Sequence, residues 1–332
     1  MKLVQTLVVR DEADIVDAQI AYHLNAGVDF VIASDHESLD GTTDILESYV
    51  RAGHLLRIPV AGPVREAEWR THMARLAATD HAADWVINTD ADEFWIPRRG
   101  SIKEILSAVP QSYGVLWALS RHFVPRTGAD EFFADRMTVR VSSDAAMSDP
   151  TSPYRPHAKV AHRADSQISV GHGSHTAFSA RFRQLPNWHP IEVFHFPFRT
   201  QEQYERKGAR RAHGDKPLGQ YVKAYQAQVE GRIPERFRSL VVDEATLARG
   251  EAAGLLVVDT RLRDALCDLR NGRGNDRRAV GYSQEFEVAV AGEGAALRDA
   301  DLVRVLRSVD GLRARVDAVE RRGWGRRRQS PE

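Results

Sequence analysis

One cysteine, Cys267, stands among 332 residues, so the chain can form neither an internal disulfide nor a cysteine-rich zinc site. That usage suits a reducing compartment, and a cytoplasmic setting is expected. Net charge is absent too. The 46 basic residues balance 46 acidic ones, leaving no global field to draw the protein to nucleic acid or a membrane surface. No run of about eighteen apolar residues occurs, so no membrane span is expected. The apolar opening, Met1 to Val9, runs straight into Arg10-Asp11-Glu12 and is too short for the core of a signal peptide. No internal repeat is found. Hydrophobic residues make up 42% of the chain and charged ones 28%, a balance that allows a sizeable core.

What is present in the first 120 residues is an alternation of strand and helix patterns. Leu3 to Val9 reads as a strand. A helix then starts at Asp11 or Asp14, carries Val16, Ile20 and Leu24 at four-residue spacing, and stops at Gly27. Strands are predicted over 29–33, 54–58 and 84–88, and helices over 42–51 and 64–79, the last with Trp69, Met73 and Leu76 on one face. Such alternation predicts an α/β fold with a mostly parallel sheet and helices on both faces. Ligands of such sheets bind beyond the C-terminal strand ends. Two more strands are predicted over 113–119 and 137–141. Residues 142–195 look irregular but hold six histidines: His157, His162, His172, His175, His189 and His195. Helical, charge-rich sequence follows Thr200. The predicted division is one α/β domain over 1–210, a mainly helical extension over 211–325, and a disordered tail over 326–332.

The segment richest in chemistry is Trp85-Val86-Ile87-Asn88-Thr89-Asp90-Ala91-Asp92-Glu93-Phe94. A buried strand there ends in three carboxylates. Residues i and i+2 of an extended segment project to one side, so Asp90 and Asp92 can converge just past the strand. Two converging carboxylates repel unless a cation sits between them. Mg²⁺ or Mn²⁺ takes such oxygens and shares them with substrate phosphates. An isolated Asp-x-Asp is more often a solvated turn, so the rest of the chain decides.

Three other segments bear on this: Val9-Arg10-Asp11-Glu12, Tyr22-His23 with Gly27-Val28-Asp29, and Ser34-Asp35-His36-Glu37-Ser38-Leu39-Asp40-Gly41-Thr42. The last resembles the Asp-Asp-Gly-Ser-x-Asp-Gly-Thr turn of family-2 glycosyltransferases. The Tyr-His and Gly-Val-Asp pieces, with Asp90-Ala91-Asp92-Glu93-Phe94, resemble the related family-92-like branch. His195-Phe196-Pro197-Phe198-Arg199-Thr200 with Tyr204 and Lys207 is similar to that branch's His-Tyr-x-x-Arg-Ser-x-x-x-Phe-x-x-Lys segment. The resemblance spans roughly residues 3–210. It departs in having Arg-Asp-Glu for Arg-Asn-Glu and His36-Glu37 for Asp-Gly.

The resemblance implies a GT-A fold that moves a sugar from a nucleoside diphosphate, UDP first among them, to an acceptor hydroxyl with inversion. The acceptor would be a glycan, a lipid-linked glycan or a small molecule. A Mn²⁺ or Mg²⁺ ion on Asp90 and Asp92 would neutralise the departing diphosphate, with Asp92 the direct ligand. Asp35 would suit the base or ribose, and Arg10 and Glu12 the donor. Asp40-Gly41-Thr42 has the simpler explanation of a helix cap. Of Arg70, His72 and Arg75 on the helix before the metal strand, Arg75 is taken as the donor contact, the others as solvated. Lys159 and Arg163 could face phosphate, His172 or His175 could complete the metal shell, and His195 could touch donor or metal. Each histidine has a rival reading as a buried, hydrogen-bonded group. Glu93 is either a carboxylate behind the metal ligands or a turn charge. The general base is sought among Asp130, Glu131, Asp149 and Glu192.

An aspartyl phosphohydrolase would need Thr or Val after the second aspartate, where Glu93 stands. A nucleotidyltransferase would need a glycine-rich loop after the first strand, and Arg10-Asp11-Glu12-Ala13 has none. A degenerate sugar-binding scaffold is the remaining alternative. Leu302, Val305, Leu306, Val309 and Leu312 form an apolar stripe that would pack internally or make a homodimer.

Overall fold

The computed structural model describes residues 1–128, 132–143, 154, 157–185, 188–212 and 221–271. The apolar stripe of 302–312, the tail, and Asp130, Glu131 and Asp149 lie outside the described residues. The first half runs β1 (Leu3–Val9), α1 (Val16–Asn25), β2 (Phe30–His36), α2 (Thr42–Arg51), β3 (Leu55–Val60), α3 (Glu66–Thr79) and β4 (Trp85–Asp90). Then come β5 (Glu93–Pro97), α4 (Ile102–Ala108), β6 (Tyr113–His122), α5 (Phe133–Arg136), β7 (Val139–Val141), β8 (Ala158–Arg163), β9 (Ser169–Val170), β10 (Ala177–Phe178), β11 (Arg183–Leu185) and β12 (Ile191–His195). The chain continues with α6 (Gln201–Ala212), α7 (Tyr221–Val229), α8 (Ile233–Arg238), α9 (Glu244–Ala252), β13 (Leu256–Val258) and α10 (Arg261–Asn271).

The main sheet has the order β3-β2-β1-β4-β8-β6-β12-β5, with β11 beside β6. It is a mixed, mostly parallel sheet, with strands and helices alternating as in an α/β fold. β8 and β5 are the reversed strands. Neither was expected from the sequence, and the reason is physical. β5 is buried on both faces and shows no alternation, while β8 carries Lys159 and His162 at buried positions. Both strands therefore lack the polar-out, apolar-in signature of a half-buried strand.

Among the described residues, β13 and α10 pack against the earlier part of the chain. β13 pairs with β7. Leu262 and Leu266 of α10 pack in the cluster that holds Tyr22, Phe94, Phe133 and Phe196.

The Tyr-His pair on α1 has a structural task. His23 Nδ1 donates to the Gln19 carbonyl at 2.8 Å, which leaves Nε2 to accept the Trp95 backbone N–H at 3.1 Å. Tyr22 donates its hydroxyl to the Trp95 carbonyl at 3.4 Å. The two side chains thus grip both backbone polar groups of Trp95, two residues past Glu93. Gly27, at φ 103°, ends α1 in the left-handed conformation that glycine adopts without strain. Asp29 then ties β2 back to β1, accepting from the Leu3 N–H at 2.7 Å.

This arrangement makes stability depend on pH. Burial pushes the His23 and His162 imidazoles down to about 4, against an ordinary value of 6.5. Both are neutral when folded and protonated when unfolded between those limits. Their contribution is complete above pH 6.5 and falls away as the pH drops towards 4. Each accounts for about 3 kcal/mol across that window. Urea unfolding at pH 7 and pH 4.5 checks this, with imidazole NMR following the two groups. Titration of either ring near 6.5 in the folded protein would refute the assignment.

Candidate active site

Parallel register brings the C-terminal ends of β2, β1 and β4 to one edge. Val9 pairs with Asp35, and Val8 with Asp90. Asp35 and Asp90 are thus separated by one intervening strand, about 10 Å. The reversed β8 brings Lys159 to the same edge. Asp90 ends β4, and the backbone turns at Ala91 and Asp92 before entering β5. Glu93 closes that turn, its Oε2 accepting the Asp90 N–H at 3.0 Å.

Two ion networks meet at this turn. On one side, Asp90 receives Arg70 on Oδ1 and the Lys159 ammonium on Oδ2 at 2.8 Å. Lys159 also meets Glu93 Oε1 at 2.8 Å, and Arg70 Nε meets Glu66 at 2.7 Å. Burial pushes the Asp90 carboxyl up, but Arg70 and Lys159 outweigh it and hold the group well below the usual carboxylate range. For Glu93 burial wins, and its carboxyl is raised. Glu93 is buried behind the turn.

On the other side, Asp92 Oδ2 accepts from Lys207 at 2.7 Å, and Oδ1 lies 3.5 Å from His195 Nε2. Lys207 also reaches Glu12 Oε1 at 3.1 Å. Arg199, fully buried, donates Nη2 to Glu12 and grips Asp14 through Nε at 2.6 Å and Nη2 at 2.8 Å. Its Nη1 stands 3.9 Å from Asp92. Burial raises the Asp92 carboxyl, yet Lys207, His195 and Arg199 together drive it well below its ordinary range. His195 is held in turn by His122, with the two Nδ1 atoms 3.0 Å apart. One of those nitrogens must carry the shared proton.

Among the described residues these two networks set six carboxylates (Glu12, Asp14, Glu66, Asp90, Asp92, Glu93) against four cations (Arg70, Lys159, Arg199, Lys207). Glu12, Asp92 and Glu93 are buried against these cations, whereas Asp14, Asp90 and Glu66 keep part of their surface open to solvent. An edge that mixes carboxylates with lysine ammonium groups in this way suits a phosphate-bearing ligand.

The profile described as Glycosyltransferase family 92 matches residues 4–180, more than half of the chain. The chain belongs to glycosyltransferase family 92. No curated protein matches it in sequence. In solved structures it is similar to S. aureus TarS 1–349, with 13% identity over 84% of this chain and 90% of that one and a TM-score of 0.36. TarS 1–349 in complex with UDP-GlcNAc gives 12% identity over 84% and 90%, with a TM-score of 0.35. 4-Diphosphocytidyl-2C-methyl-D-erythritol synthase gives 12% identity over 40% and 66%, with a TM-score of 0.24.

In this family-92 glycosyltransferase, Glu12, Asp90, Asp92, Glu93, Lys159 and His195 of the sequence-predicted residues gather at the turn. Arg10 and Asp35 lie on the same edge. Arg10 Nη1 is 3.4 Å from His36 Nδ1. The Asp35 carboxylate turns inward, to Thr43 Oγ1 at 2.7 Å and Arg57 Nη1 at 3.1 Å. Asp40 accepts from the Thr42 N–H at 3.1 Å and from the Ala13 N–H at 3.1 Å, so the Asp-Gly-Thr turn starts α2 and anchors the loop after β1.

Other expectations are corrected. Arg163 follows Lys159 by four residues on β8 and so lies at the opposite sheet edge. It stacks over Trp85 at 4.7 Å and donates to the Tyr113 and Val109 carbonyls. Arg75 donates to the Ile168 carbonyl and is exposed. Arg70, more than a turn nearer the start of α3, is the arginine aimed at Asp90. The signal for it was available: helices after strands begin at the ligand edge, and Glu66 precedes Arg70 by four residues. Glu192 is no free base. Arg121 at 2.7 Å and Arg261 at 2.9 Å clamp it between sheet and α10, and its carboxyl is lowered because these pairs outweigh burial. His172 pairs with Glu66 at 3.3 Å, and His175 Nδ1 donates to the Ala158 carbonyl. Neither joins Asp90 and Asp92. Among the described residues, no three His, Cys, Asp or Glu side chains form a metal-holding group.

Proposed function

We propose that this glycosyltransferase takes a nucleoside-diphosphate sugar, UDP-linked in first expectation, at the Asp90–Asp92 edge and transfers the sugar to an acceptor hydroxyl with inversion. The observation that carries the reading is the meeting of Asp92 and Glu12 with Lys207, and of Asp90 and Glu93 with Lys159, around the turn after β4, at the sheet edge where α/β folds bind phosphate ligands.

Those residues fit a divalent ion. Asp92 and His195 converge, and the Lys207 ammonium already bridges Asp92 to Glu12 as a positive stand-in. Mg²⁺-type sites commonly take only one or two protein carboxylates, with phosphates and water supplying the rest. Asp92 would hold the ion, with His195 beside it. A bound ion would supply Lewis-acid neutralisation of the leaving diphosphate. Asp90 stays engaged by Arg70 and Lys159, and so orients the turn and presents Lys159 at the diphosphate's edge. Glu93 fixes the same turn from behind. Arg199 keeps Glu12 and Asp14 in place around Asp92.

A thermal-shift panel of UDP, GDP, dTDP, CDP and ADP, each with and without Mn²⁺, tests the reading. A nucleotide at about 100 times its dissociation constant stabilises the fold by about 2.7 kcal/mol, a rise of several degrees. One nucleotide should produce that rise. A flat panel would favour the degenerate scaffold. The anomeric configuration of the product, read by NMR, decides inversion.

A further inference from the structure

The four cations at the edge are not equivalent. Arg70 and Arg199 have no exposed side-chain surface, and Lys159 is 5% exposed on a central strand. Arg199 is further fixed by Asp14, Glu12 and the Phe196 carbonyl. Lys207 differs on each count. Its side chain is 19% exposed, it sits on α6 outside the sheet, and its ammonium spans two carboxylates on separate segments. An ammonium on a four-carbon stem is a compact charge with rotatable donors, able to trade a carboxylate oxygen for a phosphate oxygen without a change of backbone. A guanidinium fork locked by several partners is not.

We propose that Lys207 is an exchangeable cation. With no donor present it neutralises Asp92 and Glu12; when a nucleoside diphosphate arrives its ammonium moves to the diphosphate and frees Asp92 for a divalent ion. Nucleotide and metal therefore bind cooperatively, each favouring the state in which Lys207 has left Asp92. In the transfer itself, the bond from the anomeric carbon to the β-phosphate oxygen breaks, and its electron pair stays on the diphosphate. The acceptor oxygen bonds to the anomeric carbon, and its proton passes through a base to solvent. Lys207 stays protonated throughout and faces the oxygen that keeps the pair.

The inference rests on the nucleotide-sugar reading, and one set of measurements separates the two. Calorimetry of the full chain would measure Mn²⁺ alone, UDP alone and each with the other saturating, for wild type, Lys207→Met and Lys207→Arg. Should UDP fail to bind, the other four nucleotides replace it. In wild type, UDP should tighten Mn²⁺ binding by roughly 5- to 150-fold. In Lys207→Met, Mn²⁺ alone should bind about tenfold tighter or better, the coupling should collapse towards one, and UDP should bind some 10- to 100-fold more weakly. Lys207→Arg should keep most of the UDP affinity, and a cooperative melting transition in each variant would show that both fold. If Lys207→Met keeps the wild-type Mn²⁺ affinity and coupling, the exchange is refuted while the donor reading stands. The same holds if wild type binds UDP fully in chelator and takes up no Mn²⁺. If no nucleotide binds wild type, the donor reading falls and the exchange falls with it.

Discussion

Asp92→Asn is expected to lower the rate of nucleotide-sugar hydrolysis or transfer by about 10³-fold or more, at a cost in stability of only about 1–3 kcal/mol. The two effects separate because of what surrounds the residue. Asp92 holds the turn through its backbone, the Phe196 N–H donating to its carbonyl at 2.9 Å, and the substitution leaves that bond in place. Its cationic neighbours also have other partners: Arg199 has Glu12 and Asp14, and Lys207 has Glu12. What is lost is the carboxylate that meets both Lys207 and His195. Asp90→Asn should cost a similar amount of stability, about 1–3 kcal/mol, since Arg70 keeps Glu66 and Lys159 keeps Glu93 as Lys207 and Arg199 keep Glu12. Its rate should suffer less than that of Asp92→Asn. Released nucleoside diphosphate, quantified by chromatography alongside urea unfolding curves, checks both variants. Hydrolysis by Asp92→Asn within tenfold of wild type would rule out its placement at the departing phosphate.

The strands and helices of the first 90 residues were legible because each βαβ unit carries its own periodicity. Leu3 to Val9 and the Val16, Ile20, Leu24 face lie where the patterns put them. The acidic turn was legible for a similar reason, being a sharp change from buried strand to three carboxylates within ten residues. β8 was not. Its Lys159 is buried only because Asp90 and Glu93 neutralise it, a pairing across 69 residues that no local pattern reveals. Once β8 is known to run backwards, the fates of Lys159 and Arg163 follow, since four residues along a strand cross about 13 Å. Glu192 was misread for a related reason. Its partners Arg121 and Arg261 come from a neighbouring strand and from the far C-terminal helix, so in sequence it looks unengaged. Lys207 was visible only as the last letter of a resemblance, and its meaning came from the two carboxylates it spans.

Arg199→Met should be the most damaging single change to stability in this part of the molecule. The side chain is fully buried and donates to Asp14, Glu12 and the Phe196 carbonyl. Glu12 and Asp14 belong to the loop after β1, whereas Arg199 follows β12, so one guanidinium joins two distant segments beside Asp92. Methionine fills much of the volume but leaves the two carboxylates short of their main partner. Breaking a buried pair from one side typically costs about 3–5 kcal/mol, and the melting temperature should drop by roughly 10 °C. Arg199→Lys keeps the charge and loses the two-pronged grip on Asp14, so its drop should be smaller. The acid limb should change as well. Burial raises the Asp14 carboxyl, but Arg199 and Lys207 bring it below its ordinary 3.8. That pairing contributes stability above about pH 4 that fades as the pH falls further. Arg199→Met should therefore show a flatter loss of stability below pH 4 than wild type. Unfolding free energies within 1 kcal/mol of each other at pH 7 would mean that the buried network carries none of the stability assigned to it. The loop bearing Glu12 would then have to be held by Lys207 and the Asp-Gly-Thr turn alone.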